Sequence, residues 1–449
     1  MTKISVIGCG YLGAVHAASM AELGHDVVGI DTDANKVELL SQGKAPFYEP
    51  AFDALLSRNV DSGRLKFSTN FADAADAAVH FIGVGTPQRA DGNGADLKYV
   101  DAATDSLLAV LPEQPTTASL IAGKSTVPVG TAARLAEKFA AKGAIVAWNP
   151  EFLREGFAVD DTLRPDRIVY GLPADTDGAA RAEALLDEVY GQILSGETYN
   201  DTDWTETPKV VTDYATAELV KVAANSFLAT KISFINAMAE ICDATGGNVT
   251  TLAEAIGYDD RIGKKFLRAG VGFGGGCLPK DIRAFQARVD ELGLPRTLDF
   301  LHDVDAVNQR QRSRAVSKLA DALGGDVAGK TIAVLGAAFK PDSDDIRDSP
   351  AVDIARQLRD AGATVRVTDP KAGPVVARFA ADLDFVDTIE AAVADADAVA
   401  VLTEWSDYRD LDPSTVAPQV RRRVVVDGRN CLAPQRWRDA GFEYIAMGR

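Results

Sequence analysis

Lys3-Ile4-Ser5-Val6-Ile7-Gly8-Cys9-Gly10-Tyr11-Leu12-Gly13 is an apolar strand running straight into three glycines spaced GxGxxG. An Ala-rich helix is expected over about Leu12–Leu23, a break falls at Gly24-His25, and a second strand, Val27–Ile30, closes on Asp31. That order is a βαβ unit. Its glycines permit a tight turn, close approach of backbone to a pyrophosphate and packing of the helix on the sheet, while the helix N-terminus favours an anion. Gly8, Gly10, Tyr11, Leu12 and Gly13 are therefore expected to hold a dinucleotide. Asp31, 18 residues past Gly13, is suited to its ribose hydroxyls. An acid there with no arginine directly after it favours NAD over NADP, with Lys36 close enough to bear on that choice.

The alternation continues outward from this unit. Strands are expected at Ala78–Val84, Ala118–Ala122, Ala144–Trp148 and Ile168–Tyr170, separated by helical patterns, which predicts a mostly parallel, doubly wound sheet. From Thr207 to Thr245 there is no glycine, and Pro208 falls where a first helical turn tolerates it, so one long helix or a kinked pair is expected. Helical sequence runs on to about Leu323, with more apolar positions than one narrow face holds, as in a helical core shared between subunits. Gly324–Gly329 reads as a linker, and strands at Lys330–Leu335, Thr364–Thr368, Ala398–Leu402 and Val424–Val426 predict a second, smaller α/β domain. The expected division is an α/β protein with a Rossmann-type domain over 1–200, a central helical region over 201–323 and a Rossmann-like domain over 324–449.

Gly270-Val-Gly-Phe-Gly-Gly-Gly276 carries five glycines in seven residues and leads into Cys277-Leu-Pro-Lys280-Asp281. Such a run does not form a stable helix and brings backbone close to something else. A cysteine at its end, beside a cation, is a candidate nucleophile, although a lone cysteine is more often an inert apolar side chain. Lys221 and Asn225 stand at i and i+4 on the long helix and share a face, which is either a site wall or a solvated stripe. Asn149-Pro-Glu151-Phe-Leu-Arg-Glu155-Gly156 and Lys124-Ser-Thr126-Val-Pro-Val-Gly-Thr131 follow adjacent strands, at the carboxyl edge where open α/β sheets bind ligands. None of the four histidines (16, 25, 80, 302) lies in these segments, so Glu, Lys and Cys remain as acid, base and nucleophile. The second α/β unit opens with Gly336-Ala-Ala-Phe339-Lys340 and lacks the glycine fingerprint; Lys340 and Arg347 are placed instead to hold phosphates of another ligand.

With 47 Lys+Arg against 65 Asp+Glu, the net charge is −18, which disfavours nucleic acid and anionic membrane surfaces as partners. No stretch reaches the ~18–20 apolar residues of a membrane span, and no signal core is seen near Met1, so a cytoplasmic protein is expected. Cysteines at 9, 242, 277 and 431 are too scattered for a disulfide framework or a CxxC metal site, and no metal is expected. Between Arg261 and Arg283 the balance reverses, with six basic residues against the one acid Asp281. Small anions respond to such local charge rather than to the total.

Taken together these segments, with Gly83-Val-Gly-Thr86-Pro87, Arg261-Ile-Gly263, Ala338–Pro350 and Asp427-Gly-Arg429, resemble the UDP-glucose/GDP-mannose dehydrogenase family in order and spacing along essentially the whole chain. The resemblance implies oxidation of a primary alcohol on a nucleotide sugar to a carboxylate, with two hydrides passed to two NAD⁺. It implies that Cys277 captures the intermediate aldehyde as a thiohemiacetal, which becomes a thioester before hydrolysis. By the same analogy Lys221, Asp281 and Asn225 stabilise oxygen charge and place water, Thr126 lies near that water, and Glu151 is the acid/base of hydrolysis. The nucleotide-sugar site would be lined by Glu151, Phe152, Leu153, Lys221, Asn225, Phe266, Arg268 and the loop containing Gly274. Lys340 and Arg429 would join it from the C-terminal domain, and Arg261 across a dimer interface. Thr86, Thr126, Glu155, Lys280 and Arg347 would join Asp31 and Lys36 around the dinucleotide. UDP-glucose is the implied substrate, with GDP-mannose and N-acetylated UDP-hexosamines as alternatives. A one-hydride β-hydroxyacid dehydrogenase and a non-catalytic nucleotide-sugar sensor are the competing readings. Gly276 departs from the Ser or Tyr common at that position in the family.

Overall fold

The computed structural model describes residues 1–113, 119–197 and 206–449, which form two compact units, Met1–Ala224 and Asn225–Arg449. The domain boundary expected at 200/201 and Ala118, the start of one expected strand, lie outside the described residues.

In the first unit eight strands, β1 (Lys3–Ile7), β2 (Asp26–Ile30), β3 (Leu65–Ser68), β4 (Val79–Ile82), β5 (Leu120–Gly123), β6 (Ile145–Trp148), β7 (Ile168–Leu172) and β8 (Lys209–Asp213), form one sheet in the order β3-β2-β1-β4-β5-β6-β7-β8. Every pairing is parallel except β6 with β7. Parallel strands need both faces covered, and successive residues serve opposite faces. Ile4, Val6, Phe81 and Ala147 belong to one core, and Ile7, Ile82, Val146 and Trp148 to the other.

The long helix begins later than the sequence pattern predicts. It spans Tyr214–Thr245, and Lys209–Asp213 before it is a strand parallel to β7. Val210, Val211 and Thr212 are β-branched and favour the extended conformation. Pro208, which has no N–H, precedes the strand and its carbonyl accepts from the Ile168 amide at 2.9 Å, and Asp213 receives the Thr216 amide at 2.8 Å where the helix starts.

The second unit holds the rest of that helix, the helices Val249–Gly257, Leu278–Glu291 and Phe300–Ala322, and a six-stranded parallel sheet. Its strands are β9 (Thr331–Leu335), β10 (Thr364–Thr368), β11 (Asp384–Phe385), β12 (Ala398–Val401), β13 (Val424–Asp427) and β14 (Glu443–Ala446). Their order, β11-β10-β9-β12-β13-β14, repeats that of the first six strands of the other sheet. The helices enclose smaller cores, one built on Ile235, Ala239 and Val249 and one on Ala229, Phe273, Ile282 and Leu301. Among the described residues no helix is long and apolar enough to cross a membrane.

Candidate active site

In each sheet the strand order reverses beside the first strand, which opens a crevice at the carboxyl ends. In the first unit Gly8 has φ +90°, and a Cβ on it would lie 2.6 Å from Val84. A Cβ on Gly13 would stand 1.8 Å from the Gly8 carbonyl, so the helix Tyr11–Glu22 packs on the turn only because that residue is glycine. Above Gly10 there is open space, with nothing within 4 Å of an added Cβ. Asp31 at the end of β2 accepts from the Cys9 amide at 2.9 Å and from Lys36 Nζ at 2.9 Å. This turn fits a dinucleotide. The corresponding turn of the second unit does not offer the same acid, because Asp369 is spent on its own surroundings. Its carboxylate takes the amides of Ala337, Ala338, Lys371 and Ala372 and the Trp405 indole N–H.

The loops after β4, β5 and β6 meet in the first unit. Thr86 Oγ1 donates to the Thr126 carbonyl at 2.8 Å, and Ser125 Oγ donates to the Val84 carbonyl at 2.7 Å. Glu151 Oε1 pairs with Lys221 Nζ at 3.0 Å, and its other oxygen takes the Leu153 amide at 2.7 Å. Arg167 lies 3.7 Å from the centre of the Phe152 ring. Beneath this turn Lys124 is buried; its Nζ donates to Asn149 Oδ1 at 2.9 Å and reaches the Tyr190 hydroxyl at 3.2 Å. Burial pushes the Lys124 ammonium down to about 8, and the Glu151 carboxylate opposes that fall. Glu155 is half-buried at the end of the same loop.

Glu218, buried on the long helix, accepts from the Gly130 and Ala132 amides at 2.8 and 2.7 Å. It holds the first turn of the helix Thr131–Ala140 and ties the Thr126–Gly130 loop to the helix that carries Lys221. Glu49, Arg167 and Glu218 lie in none of the motifs of the sequence. Only Glu218, three residues before Lys221 and so on the same helical face, has a spacing that marks it.

In the second unit the glycine loop is held almost residue by residue. Gly270 donates to Asn236 at 2.8 Å, Val271 to the Gly428 carbonyl at 2.9 Å, Phe273 to Asn308 at 2.7 Å, and Gly275 to the Arg347 carbonyl at 2.8 Å. Asn236 lies three turns along the helix from Asn225. Arg429 donates to the carbonyls of Gly272, Phe339 and Leu402 at 2.8, 3.1 and 2.8 Å, so its guanidinium clamps the loop to the sheet edge. The loop delivers Cys277, exposed, to the start of the helix Leu278–Glu291, the end at which the helix dipole favours an anion. One turn in, Asp281 is buried, accepts from Asn225 Nδ2 at 2.7 Å and pairs with Lys280 at 2.6 Å. The open position at Gly276 is occupied by Arg347, whose guanidinium carbon lies 2.4 Å from where a Cβ would be and which also pairs with Asp345 at 2.7 Å.

Phe266 has φ +65° and is exposed, as is Arg268; Lys340 lies 5.3 Å from the Phe339 ring. Arg261 is 89% exposed and pairs with Asp259. Among the described residues no group of three or more His, Cys, Asp or Glu is placed to hold a metal.

Residues 2–194, 215–310 and 333–434 match, in that order, the NAD binding, central and UDP binding domains of the UDP-glucose/GDP-mannose dehydrogenase family. The chain belongs to that family. As a UDP-glucose/GDP-mannose dehydrogenase family member it is an oxidoreductase, and NAD is the cofactor that fits the turn at Gly8–Gly13. A UDP-glucose 6-dehydrogenase of Rhizobium meliloti is 40% identical over 452 residues, which cover 100% of this chain and 99% of the relative. The solved UDP-glucose dehydrogenase of Pyrobaculum islandicum is 38% identical, with a TM-score of 0.87 over 100% of this chain and 98% of that one. The UDP-D-ManNAc dehydrogenase of Pyrococcus horikoshii is 26% identical, with a TM-score of 0.82 over 100% and 99%.

Proposed function

We propose that the protein oxidises the C6 alcohol of UDP-glucose to UDP-glucuronate: UDP-glucose + 2 NAD⁺ + H₂O gives UDP-glucuronate + 2 NADH + 3 H⁺. The observation that carries the choice of sugar is the full-length similarity to UDP-glucose dehydrogenases at 38–40% identity, against 26% for the UDP-D-ManNAc enzyme. NAD supplies a hydride acceptor for each oxidation; the remaining chemistry falls to side chains. The first oxidation leaves an aldehyde. The Cys277 thiol adds across its C=O bond to give a thiohemiacetal, loss of a second hydride and a proton gives a thioester, and water then breaks the C–S bond and returns the thiol. Glu151 takes the proton from that water, and Lys221 sets the Glu151 carboxylate and, with Asn225 and Thr126, stabilises oxyanion charge. Asp281, held by Asn225, helps place the water.

In this reading residues 1–200 bind NAD, with Asp31, Lys36, Thr86, Glu155, Lys280 and Arg347 as its contacts, and 324–449 bind the uridine nucleotide. Phe152, Leu153, Phe266, Arg268, Gly274, Lys340 and Arg429 line the sugar nucleotide. Phe227, Phe234 and Ile241 are exposed at seven-residue spacing on the long helix, which supports a homodimer through that stripe, with Arg261 reaching the partner's site. A thiol-dependent NAD enzyme fits the reducing cytoplasm.

The test is NADH yield per mole of sugar for UDP-glucose, GDP-mannose and N-acetylated UDP-sugars. Two NADH with UDP-glucose, and loss of turnover in Cys277→Ala, are expected. One NADH with an aldehyde product, two NADH from another sugar only, or tight binding without NADH overturns the assignment.

A further inference from the structure

Tyr48-Glu49-Pro50 belongs to none of the motifs that mark the site, yet Glu49 is one of the few carboxylates that the fold buries, at 5% exposure. A buried carboxylate persists only where its lone pairs are met. Glu49 Oε1 accepts from the Ala158 amide at 2.7 Å; Oε2 accepts from the Gly156 amide at 2.6 Å and from the Tyr11 hydroxyl. Gly156 N also lies 3.0 Å from the Tyr11 oxygen. The Tyr11 ring is fixed in turn, its centroid 4.7 Å from that of Phe47, which stacks on Phe52.

These contacts connect two places with different tasks. Tyr11 is the first residue of the fingerprint helix, at the turn that receives the cofactor's phosphates. Gly156 and Ala158 end the loop that leaves β6 and carries Glu151, Phe152, Leu153 and Glu155. That loop is fixed at its start by Asn149, whose side chain bonds Lys124, Tyr190 and the Val169 carbonyl. At its end Gly156 turns with φ +80° and the amides go to Glu49. Between those two anchors the loop is tied by the Glu151–Lys221 pair, by the Leu153 amide on Glu151 and by the Arg154–Asp161 pair, while Gly156 and Ala158 are tied by Glu49.

We infer that Glu49 is a positioning residue that sets Glu151 and Glu155 through the Gly156 and Ala158 amides, and through Tyr11 registers them to the fingerprint helix. The inference rests on the reading of the site given above. Because one carboxylate joins both places, it sets the catalytic loop and the cofactor turn together, and its loss affects turnover and NAD binding at once.

The test uses the full-length protein with Glu49→Gln, Tyr11→Phe and both. Glu49→Gln keeps the side chain's size but turns an NH₂ toward an amide donor. It is expected to lower kcat about tenfold or more and to raise KM for NAD. Tyr11→Phe should shift the same two constants less. The double variant should match Glu49→Gln alone, since Tyr11 acts through Glu49. Hydrogen exchange in the peptide spanning Gly156 and Ala158 should speed up in Glu49→Gln while β6 stays protected. A folded Glu49→Gln with wild-type kinetics, or one whose losses only follow its folded fraction, overturns the inference. Should Glu49→Gln not fold, an unchanged kcat and NAD KM in Tyr11→Phe overturns it. If the wild type makes no NADH from any nucleotide sugar, the functional reading fails, and exchange at Gly156 and Ala158 still decides the tether.

Discussion

Lys221 Nζ lies 3.0 Å from Glu151 Oε1, with 8% and 14% of the two side chains exposed. At that burial each charge depends on the other, and removing one partner of such a pair costs up to about 3–5 kcal/mol. The pairing gives the two residues separable signatures. On the proposed function Glu151→Gln would remove the base for thioester hydrolysis and spare both oxidations. Mixing it with UDP-glucose and NAD should give a burst of two NADH per active site followed by a stall. Denaturing mass spectrometry should then find the protein heavier by a UDP-glucuronyl group on Cys277. Steady turnover with no adduct would remove Glu151 from the chemistry. Lys221→Met, which leaves Glu151 unpaired, should lower kcat at least about 100-fold.

The Asp31–Lys36 pair at 2.9 Å gives a test of cofactor choice. On the proposed function Asp31 would accept ribose hydroxyls and repel a 2′-phosphate, and its pairing with Lys36 would keep that cation from the phosphate. In Asp31→Ala the cation is released. NADP should become a usable cofactor and kcat/KM for NAD should fall at least about tenfold, the loss expected when a charged hydrogen bond is removed. If NADP activity stays absent in Asp31→Ala and the NAD value is unchanged, Asp31 does not read the ribose.

Lys124 predicts a pH dependence of stability. Its folded value lies near 8 because burial disfavours the ammonium, below the ordinary lysine value of 10.5. Below pH 8 both folded and unfolded chains carry the proton, and the folded state bears the whole penalty of the buried charge. Between 8 and 10.5 the unfolded chain binds more protons, so stability from this group rises with pH. Urea unfolding of wild type and Lys124→Met at pH 7, 8, 9 and 10 should show the wild type gaining on the variant above pH 8. The gain should approach about 3 kcal/mol by the upper end of that window. A constant difference between the two would place the Lys124 titration at its ordinary value.

How much of this was legible before the structure depended on whether a residue acts through a repeating pattern or through a fold-made contact. The fingerprint at Gly8–Gly13 and the apolar strands β1, β2, β4, β5, β6 and β7 are local signals, whereas β3, four residues at the sheet edge, is not among the expected strands. Absence of glycine extends the apparent helix back toward Thr207, but Val210, Val211 and Thr212 are β-branched, and β8 forms because β7 offers it an edge. The glycine loop before Cys277 was legible as a close approach, but not what it approaches: Asn236, Asn308 and Arg429 hold it from positions 34 to 157 residues away in sequence. Glu49 and Glu218 escaped for the same reason. Each caps backbone amides about 85 to 110 residues distant; Glu49 has no period to betray it, and the spacing of Glu218 to Lys221 marks a shared helical face but not the amides it caps.

The same loop separates two glycines by what faces them. A Cβ on Gly274 would stand 2.3 Å from the Asp348 carbonyl oxygen and 2.8 Å from Pro350 Cδ, both part of the backbone frame that receives the loop. Neither can move without shifting the segment whose Arg347 carbonyl takes the Gly275 amide. The atoms nearest a Cβ on Gly276 would be those of the Arg347 guanidinium, the far end of a flexible side chain that is 64% exposed and pairs with Asp345. Gly274→Ala should therefore lose about 1–3 kcal/mol of stability. It should also lower kcat by about 100-fold, since a shift of about 1 Å in a reacting group is worth that much. Gly276→Ala should stay within about 0.5 kcal/mol of wild type in urea unfolding. Its kinetic effect should fall on KM for NAD, through the displaced Arg347, rather than on kcat. Equal damage from both substitutions would mean that Arg347 is as fixed as the backbone around Gly274, and that Gly276 is required for the loop to close over Cys277.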